Sequence, residues 1–218
     1  MTRATERARN PDATRAQLIR AGERLFAERG IHQVRLREIN ALAGQKNRSA
    51  LHYHFGSRQG LVEAILSAHQ TAMDKEVGPA LDAVVARGDP MVRDVVAVWV
   101  RALSGQLRER SGRDFLRIVP QVLDMVNPIV RRGATVRAST QSGRTFALLD
   151  QCMAELPTPV RRERLVAYSL ILTALFADRA ALVESGEDIT LDDEAFGAHA
   201  LDVICGAVTA SSTVDTVR

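Results

Sequence analysis

Apolar residues in the first sixty positions recur at helical rather than strand spacing. Leu18, Gly22, Leu25 and Phe26 stand at i, i+4, i+7 and i+8, one face of a helix predicted from Pro11 to Arg29. Asn10 or Asp12 is suited to cap it, and Pro11 to its first turn. Gly30 followed by Ile31 fits a left-handed helix end with a hydrophobic contact back onto the helix. A second run, Arg35 to Ala43, places Leu36, Ile39, Leu42 and Ala43 together and stops at Gly44. After Gly44-Gln45-Lys46, Asn47 can cap a third short helix. That helix is expected to face Leu51, His54 and Phe55 inward and Ser49, Ala50, His52 and Tyr53 outward, with Arg48 at its rim. Gly56-Ser57 then opens a fourth helix, whose stripe of Leu61, Ile65, Ala68 and Ala72 runs to about Glu76.

The remaining punctuation is Gly78-Pro79, Gly88-Asp89-Pro90, Ser111-Gly112, Asn127-Pro128, Gly133, Pro157-Thr158-Pro159 and Ser185-Gly186. Between these breaks the spacing predicts helices over 79–87, 90–110, 113–126, 137–155, 159–184 and 192–209, with Asp89 and Thr158 as caps. Pro120 falls inside the third of them, where it removes a backbone donor and should kink the helix. No strand alternation appears. The expectation is an all-α chain with a small N-terminal domain over 10–58 and a larger helical domain over 59–210.

Composition agrees, since 46% of residues are apolar, 25% charged and only 4% aromatic, which favours helices over a sandwich or barrel. Cys152 and Cys205 cannot form a disulfide framework and read as small core residues in a reducing compartment. The Arg-rich start lacks the apolar segment of a signal peptide, and no stretch reaches about 18 uncharged apolar residues, so the cytoplasm is the expected location. Charge changes the picture more. The net charge is +3, but residues 1–60 hold 12 Lys and Arg against 5 Asp and Glu, while residues 61–218 are net acidic. So short a basic segment is the electrostatic footprint of contact with phosphates, whose neutralisation releases condensed counterions.

Two short helices joined by a Gly-containing turn have the spacing of a helix-turn-helix, whose second helix enters the major groove of DNA. Arg35, Arg37, Tyr53 and Arg58 flank that helix and are candidates for phosphate contacts. Lys46, Asn47, Arg48, Ser49 and His52 are the candidates for reading bases, because Arg or Lys can pair with guanine and Asn with adenine.

The segments Leu25-Phe26-Ala27-Glu28-Arg29-Gly30, Leu36-Arg37-Glu38-Ile39, Ala43-Gly44 and Leu51-His52-Tyr53-His54-Phe55-Gly56-Ser57-Arg58 resemble the TetR family of bacterial transcription regulators over about the first 60 residues. The resemblance implies a three-helix DNA-binding head, a linking fourth helix, and a helical C-terminal domain. That domain would hold a small ligand and dimerise through its last two long helices. Three departures stand out. The turn Gly44-Gln45-Lys46-Asn47 is one residue longer, with Gln45 and Lys46 where one apolar residue is common; His52 stands where Tyr is frequent; and Arg35 stands where Ser or Thr usually caps.

The expected function is a homodimeric transcription regulator, a repressor that binds a palindromic operator and is released by a small-molecule effector. The alternative is a helical small-molecule-binding protein without a DNA role. An apolar effector site is expected around Trp99, Leu103, Phe115, Val119, Val122, Met125, Phe146 and Leu149, with Arg117 and Gln121 as polar groups at its mouth for an acidic or carbonyl end. Asp114, Arg117, Gln121 and Asp124 form a polar stripe, either a solvated face or part of that lining. Dimerisation is expected to use Leu165, Leu172, Leu175, Phe176, Phe196, Leu201, Ile204 and Val208, unless these are the monomer's own core. No cofactor, metal or catalytic role is expected. His52 and His54 point apart on a helix, and no nucleophile triad, phosphate loop or CxxC is present.

Overall fold

The computed structural model describes residues 11–45, 47, 49–123 and 140–213. Every regular element among them is helical. The chain divides into two compact units, Met1–Ala68 and His69–Arg218.

The first unit holds α1 (Pro11–Arg29), α2 (Leu36–Leu42), α3 (Ala50–Phe55) and the first turns of α4 (Arg58–Ala86). Gly30, at φ 87°, ends α1 in the left-handed region as its sequence predicts. Leu18, Phe26, Val34, Ile39, Leu51, Leu61 and Ile65 form the unit's core. Gly22 of α1 lies against α4, and a Cβ there would sit 2.8 Å from Leu61 Cδ2, which is why a glycine occupies a buried position of α1. The start of α4 is fixed by Ser57, whose hydroxyl accepts the N–H of Gly60 at 3.0 Å. The expected stripe on α4 is only half right. Leu61 and Ile65 are buried, but Ala68 and Ala72 are not, and the buried partners are Val62 and Leu66.

The second unit comprises the rest of α4 with α5 (Val92–Leu107), α6 (Arg110–Ile118), a 3-10 turn over Val119–Val122, α7 (Gln141–Cys152), α8 (Thr158–Ser185) and α9 (Asp193–Thr209). Gly78-Pro79 is not a break, because α4 continues through it to Ala86. Proline removes one helical hydrogen bond. The buried row Met73, Val77, Leu81 and Val84 runs across both sides of it, and α7 docks alongside through Arg144 on Asp82 and Gln141 beside Gly78. Ser111-Gly112 is likewise inside a helix. A Cβ on Gly112 would lie 2.1 Å from the carbonyl oxygen of Gln106, so this glycine permits a close approach between the ends of α5 and α6. Pro120 does interrupt its helix, as a tightening into the 3-10 turn.

The expected caps are partly reassigned. Asp89 sits at φ 40° in the turn, and Asp94 accepts the Met91 N–H at 3.2 Å to start α5. Pro157, not Thr158, precedes α8. Asp192 caps α9 by accepting the Ala195 N–H at 2.8 Å.

α8 is long and apolar enough to cross a membrane by length and composition. Within this unit it packs against α5, α6, α7 and α9, and carries a buried Arg179 whose Nη2 donates to Asp193 at 2.8 Å. Leu165, Leu172, Phe176, Phe196, Ile204 and Val208 are buried here, and Leu175 and Leu201 half-buried. Six of the eight residues expected at a dimer interface are therefore interior to a single chain. Their helical spacing marks a buried face without saying what buries it.

Candidate nucleic-acid interface

α2 begins at Arg35, which has an extended backbone and no side-chain acceptor to offer. Glu38 compensates: one carboxylate oxygen accepts the Arg35 N–H at 2.7 Å and the other accepts Arg29 Nη2 at 2.9 Å. The backbone N–H of Arg35, and then the Arg29 guanidinium, hold the Glu38 carboxyl below its ordinary pKa. Arg35 and Arg37 both stand exposed at this end of the helix.

The turn into α3 is closed by side chains. Asn47 accepts the N–H of Ser49 at 2.9 Å, and its carbonyl accepts that of Ala50 at 3.2 Å. Asn47 thus shapes the turn one step before the helix, and Ser49 occupies the cap position without a side-chain bond. On α3, Leu51 is buried and His54 and Phe55 are half-buried, as expected, but Ala50 is buried rather than outward. Its small side chain fits where the helix enters the unit. The outward face is Ser49, His52 and Tyr53, with Tyr53 80% exposed and set edge-on to His54 at 5.1 Å. A large aromatic so exposed on a short helix has a phenol free to reach a partner outside the chain. Leu42, expected inside, is exposed as well.

Arg58 is half-buried, and its Nη1 donates to the carbonyls of Ile31 and, at 2.7 Å, Val34. That guanidinium satisfies backbone acceptors of the loop between α1 and α2, a structural use that its place beside the helix does not reveal. Lys46 and Arg48 lie outside the described residues. The exposed candidates, Arg35, Arg37, Asn47, Ser49, His52 and Tyr53, all stand on α2, the turn and α3 of one unit.

The effector candidates stand in the second unit. Trp99, Leu103, Phe115, Val122, Phe146 and Leu149 are buried, Val119 and Arg117 are half-buried, and Met125 and Asp124 lie outside the described residues. The polar stripe is not one environment: Asp114 is buried, whereas Gln121 is exposed and donates to the Arg117 carbonyl at 3.1 Å. Two polar groups in this interior escaped the sequence reading. Thr145 accepts the Trp99 indole N–H at 2.7 Å, and Tyr168 is buried with its hydroxyl lacking a hydrogen-bond partner among the described residues, its ring edge-on to Phe146 at 6.2 Å. Desolvation pushes the Tyr168 phenol far above its ordinary pKa, keeping it a neutral donor. No group of three His, Cys, Asp or Glu suited to a metal occurs among the described residues.

Residues 18–65 match the family model described as "Bacterial regulatory proteins, tetR family". The chain is similar to the HTH-type transcriptional regulator TtgR of Pseudomonas putida, 46% identical over 59 residues, which are 27% of this chain and 28% of that protein. A probable HTH-type transcriptional regulator of the same species, ArpR, matches over the same extent. The chain therefore spans little more than a quarter of these relatives' length. Solved structures extend the likeness as fold alone. Native NalD of Pseudomonas aeruginosa, described as the secondary repressor of the MexAB-OprM multidrug efflux pump, has a TM-score of 0.59 at 19% identity, covering 89% of this chain and 94% of its own. A putative tetR family regulator from Shewanella sp. PV-4 has 0.57 at 18%, covering 89% and 97%. AmtR of Mycobacterium smegmatis has 0.52 at 17%, covering 94% and 90%. The likeness to the tetR family of bacterial regulatory proteins thus rests on residues 18–65, and beyond them on the fold alone.

Proposed function

We propose that this protein is a ligand-responsive DNA-binding transcription regulator, a repressor that grips a palindromic operator as a homodimer and releases it when a small molecule enters the second unit. The observation that carries this reading is α3. Its inner side is seated on Ala50 and Leu51, while Ser49, His52 and Tyr53 stand outward in a segment with a strong basic excess. Asn47, Ser49 and His52 read bases. Arg35, Arg37 and Tyr53 hold the phosphates, and Arg58 supports the loop before α2 rather than the DNA. Lys46 and Arg48 are the remaining candidates for reading bases.

A twofold dimer supplies two heads for a palindrome. The interior residues of α8 and α9 are not available for it, so the pairing surface is their outer side, where Leu170 and Val203 are exposed. The effector occupies the apolar interior around Trp99, Leu103, Phe115, Phe146 and Leu149, with the neutral Tyr168 hydroxyl as a polar anchor. The regulator works in the cytoplasm and catalyses nothing.

The test is a binding-site selection with the full-length protein, followed by affinity measurements on the recovered sequence across a range of salt. A palindromic site and a slope reduced by about one on Arg37→Ala are expected. Recovery of no preferred sequence, with salt-insensitive retention, would leave the alternative of a helical ligand-binding protein without a DNA role.

A further inference from the structure

The turn between α2 and α3 carries the polar Gln45 at a half-buried position. An apolar side chain would hold such a turn by burial. Gln45 is held by hydrogen bonds instead. Its carboxamide nitrogen donates to Gln17 Oε1 of α1 at 3.0 Å and to the Ala43 carbonyl at 3.1 Å, and its backbone N–H donates to the Asn40 carbonyl at 2.9 Å. Two residues later Asn47 ties the turn forward to Ser49 and Ala50. Gln45 is thus anchored to a residue 28 positions earlier in the chain, and Asn47 to the start of α3. α1 also reaches the other end of α3, where the Arg15 guanidinium lies 5.3 Å from the centre of the Phe55 ring.

We propose that Gln17 and Gln45 are positioning residues for DNA recognition: their hydrogen bond fixes Gln45 where the chain leaves α2, and with it the placement of α3 and its His52 and Tyr53. This rests on the DNA-binding reading above. α3 has six residues, too few to hold its own geometry, so its orientation depends on what grips its ends. The bond lies at the surface of the unit, where it adds little to global stability. A recognition element, however, loses contacts when displaced by fractions of an ångström. The effect belongs in operator binding rather than in folding.

The experiment compares full-length wild type, Gln17→Ala, Gln45→Ala and the double variant on the selected operator, with affinity, salt slope, circular dichroism and Tm measured for each. Each single variant should lose roughly two- to tenfold in affinity, the worth of one hydrogen bond. Tm and salt slope should stay unchanged, and Gln17→Ala should add no further loss in the Gln45→Ala background. A loss that persists in that background would mean that Gln17 acts by itself, and would overturn the proposal. So would an unchanged affinity for Gln17→Ala, or a Tm that falls in step with affinity. A wild-type protein that finds no operator would overturn the functional reading and this inference together, whereas wild-type binding with one of the other outcomes overturns this inference alone.

Discussion

The indole N–H of Trp99 donates to the hydroxyl of Thr145 at 2.7 Å, joining α5 to α7 inside the second unit. Thr145 in turn donates to the Gln141 carbonyl at 2.8 Å, so one hydroxyl serves two elements. Thr145→Val keeps the shape and strands the buried indole donor, at a cost of about 1–3 kcal/mol. Thr145→Ser restores the acceptor. Because Trp99 is the chain's single tryptophan, its emission reports the bond directly. Valine should change the emission maximum and lower Tm, and serine should do neither. Equal spectra for the three proteins would mean that the bond does not form in solution.

Arg58 and Arg37 separate two uses of a cation in the same basic head. Arg58 holds the carbonyls of Ile31 and Val34, while Arg37 is exposed. Arg58→Gln should lower the stability of the head by about 1–3 kcal/mol and weaken operator binding with little change in salt slope. Arg37→Ala should leave stability unchanged and reduce the slope by about one. A reduced slope with intact Tm for Arg58→Gln would return Arg58 to the phosphate contacts.

The start of α2 should weaken in acid. Glu38 has its pKa lowered first by the Arg35 N–H and then by Arg29. A group whose folded pKa is depressed contributes stability that is fully present above its unfolded pKa and lost as pH falls through the folded one. Glu38→Gln should therefore lower the Tm of the head at neutral pH. The gap from wild type should close on descending below about pH 4, as the carboxylate protonates in both states. A gap of constant size down to about pH 3 would show that the charge of Glu38 plays no part.

Tyr168 predicts the reverse of the usual result. Removing a bonded buried hydroxyl destabilises, but the Tyr168 hydroxyl is buried without a partner among the described residues. Tyr168→Phe should leave stability unchanged or raise it by up to about 1–2 kcal/mol, read as a higher denaturant midpoint at constant m. A loss of that size would show that the hydroxyl is satisfied in solution. If it anchors the effector, the same variant should respond to effector more weakly while still binding operator.

What the sequence discloses here follows the range of the interactions. The head's helix ends were legible because Gly30, Gly44 and Ser57 act on the backbone within one turn of themselves. The face of α3 was legible in part, since a period places Leu51 inward but does not say how deep the helix start sits, and Ala50 is buried there. Partner choice over long separations was not legible. Nothing local tells that Gln45 reaches Gln17, that Arg58 turns back to Ile31, or that Thr145 meets Trp99 46 positions away. Gly78-Pro79 misled for the same reason, because its local preference to break is overruled by the buried row on either side and by the contact with α7.

The outer side of α8 and α9 carries the final prediction, because the inner side is already occupied. Phe176 is fully buried and meets Phe196 edge-on at 5.3 Å, with Ile204 and Val208 equally inaccessible. Phe176→Glu would bury an unpaired carboxylate in this core, and should yield a protein that is unfolded or aggregated at any concentration. Leu170 and Val203 are 48% and 39% exposed in the isolated chain. A charge at either costs the monomer little, but placed in a twofold interface it faces its own copy and repels it. Leu170→Glu and Val203→Glu should therefore remain helical, with near wild-type Tm at low protein concentration, and sediment as monomers where the wild type sediments as a dimer. They should also lose cooperative binding to a two-half-site operator while keeping weak affinity for a single half-site. Dimers undiminished by both substitutions would move the pairing surface elsewhere, and a wild-type monomer at micromolar concentration would remove the dimer from the functional reading.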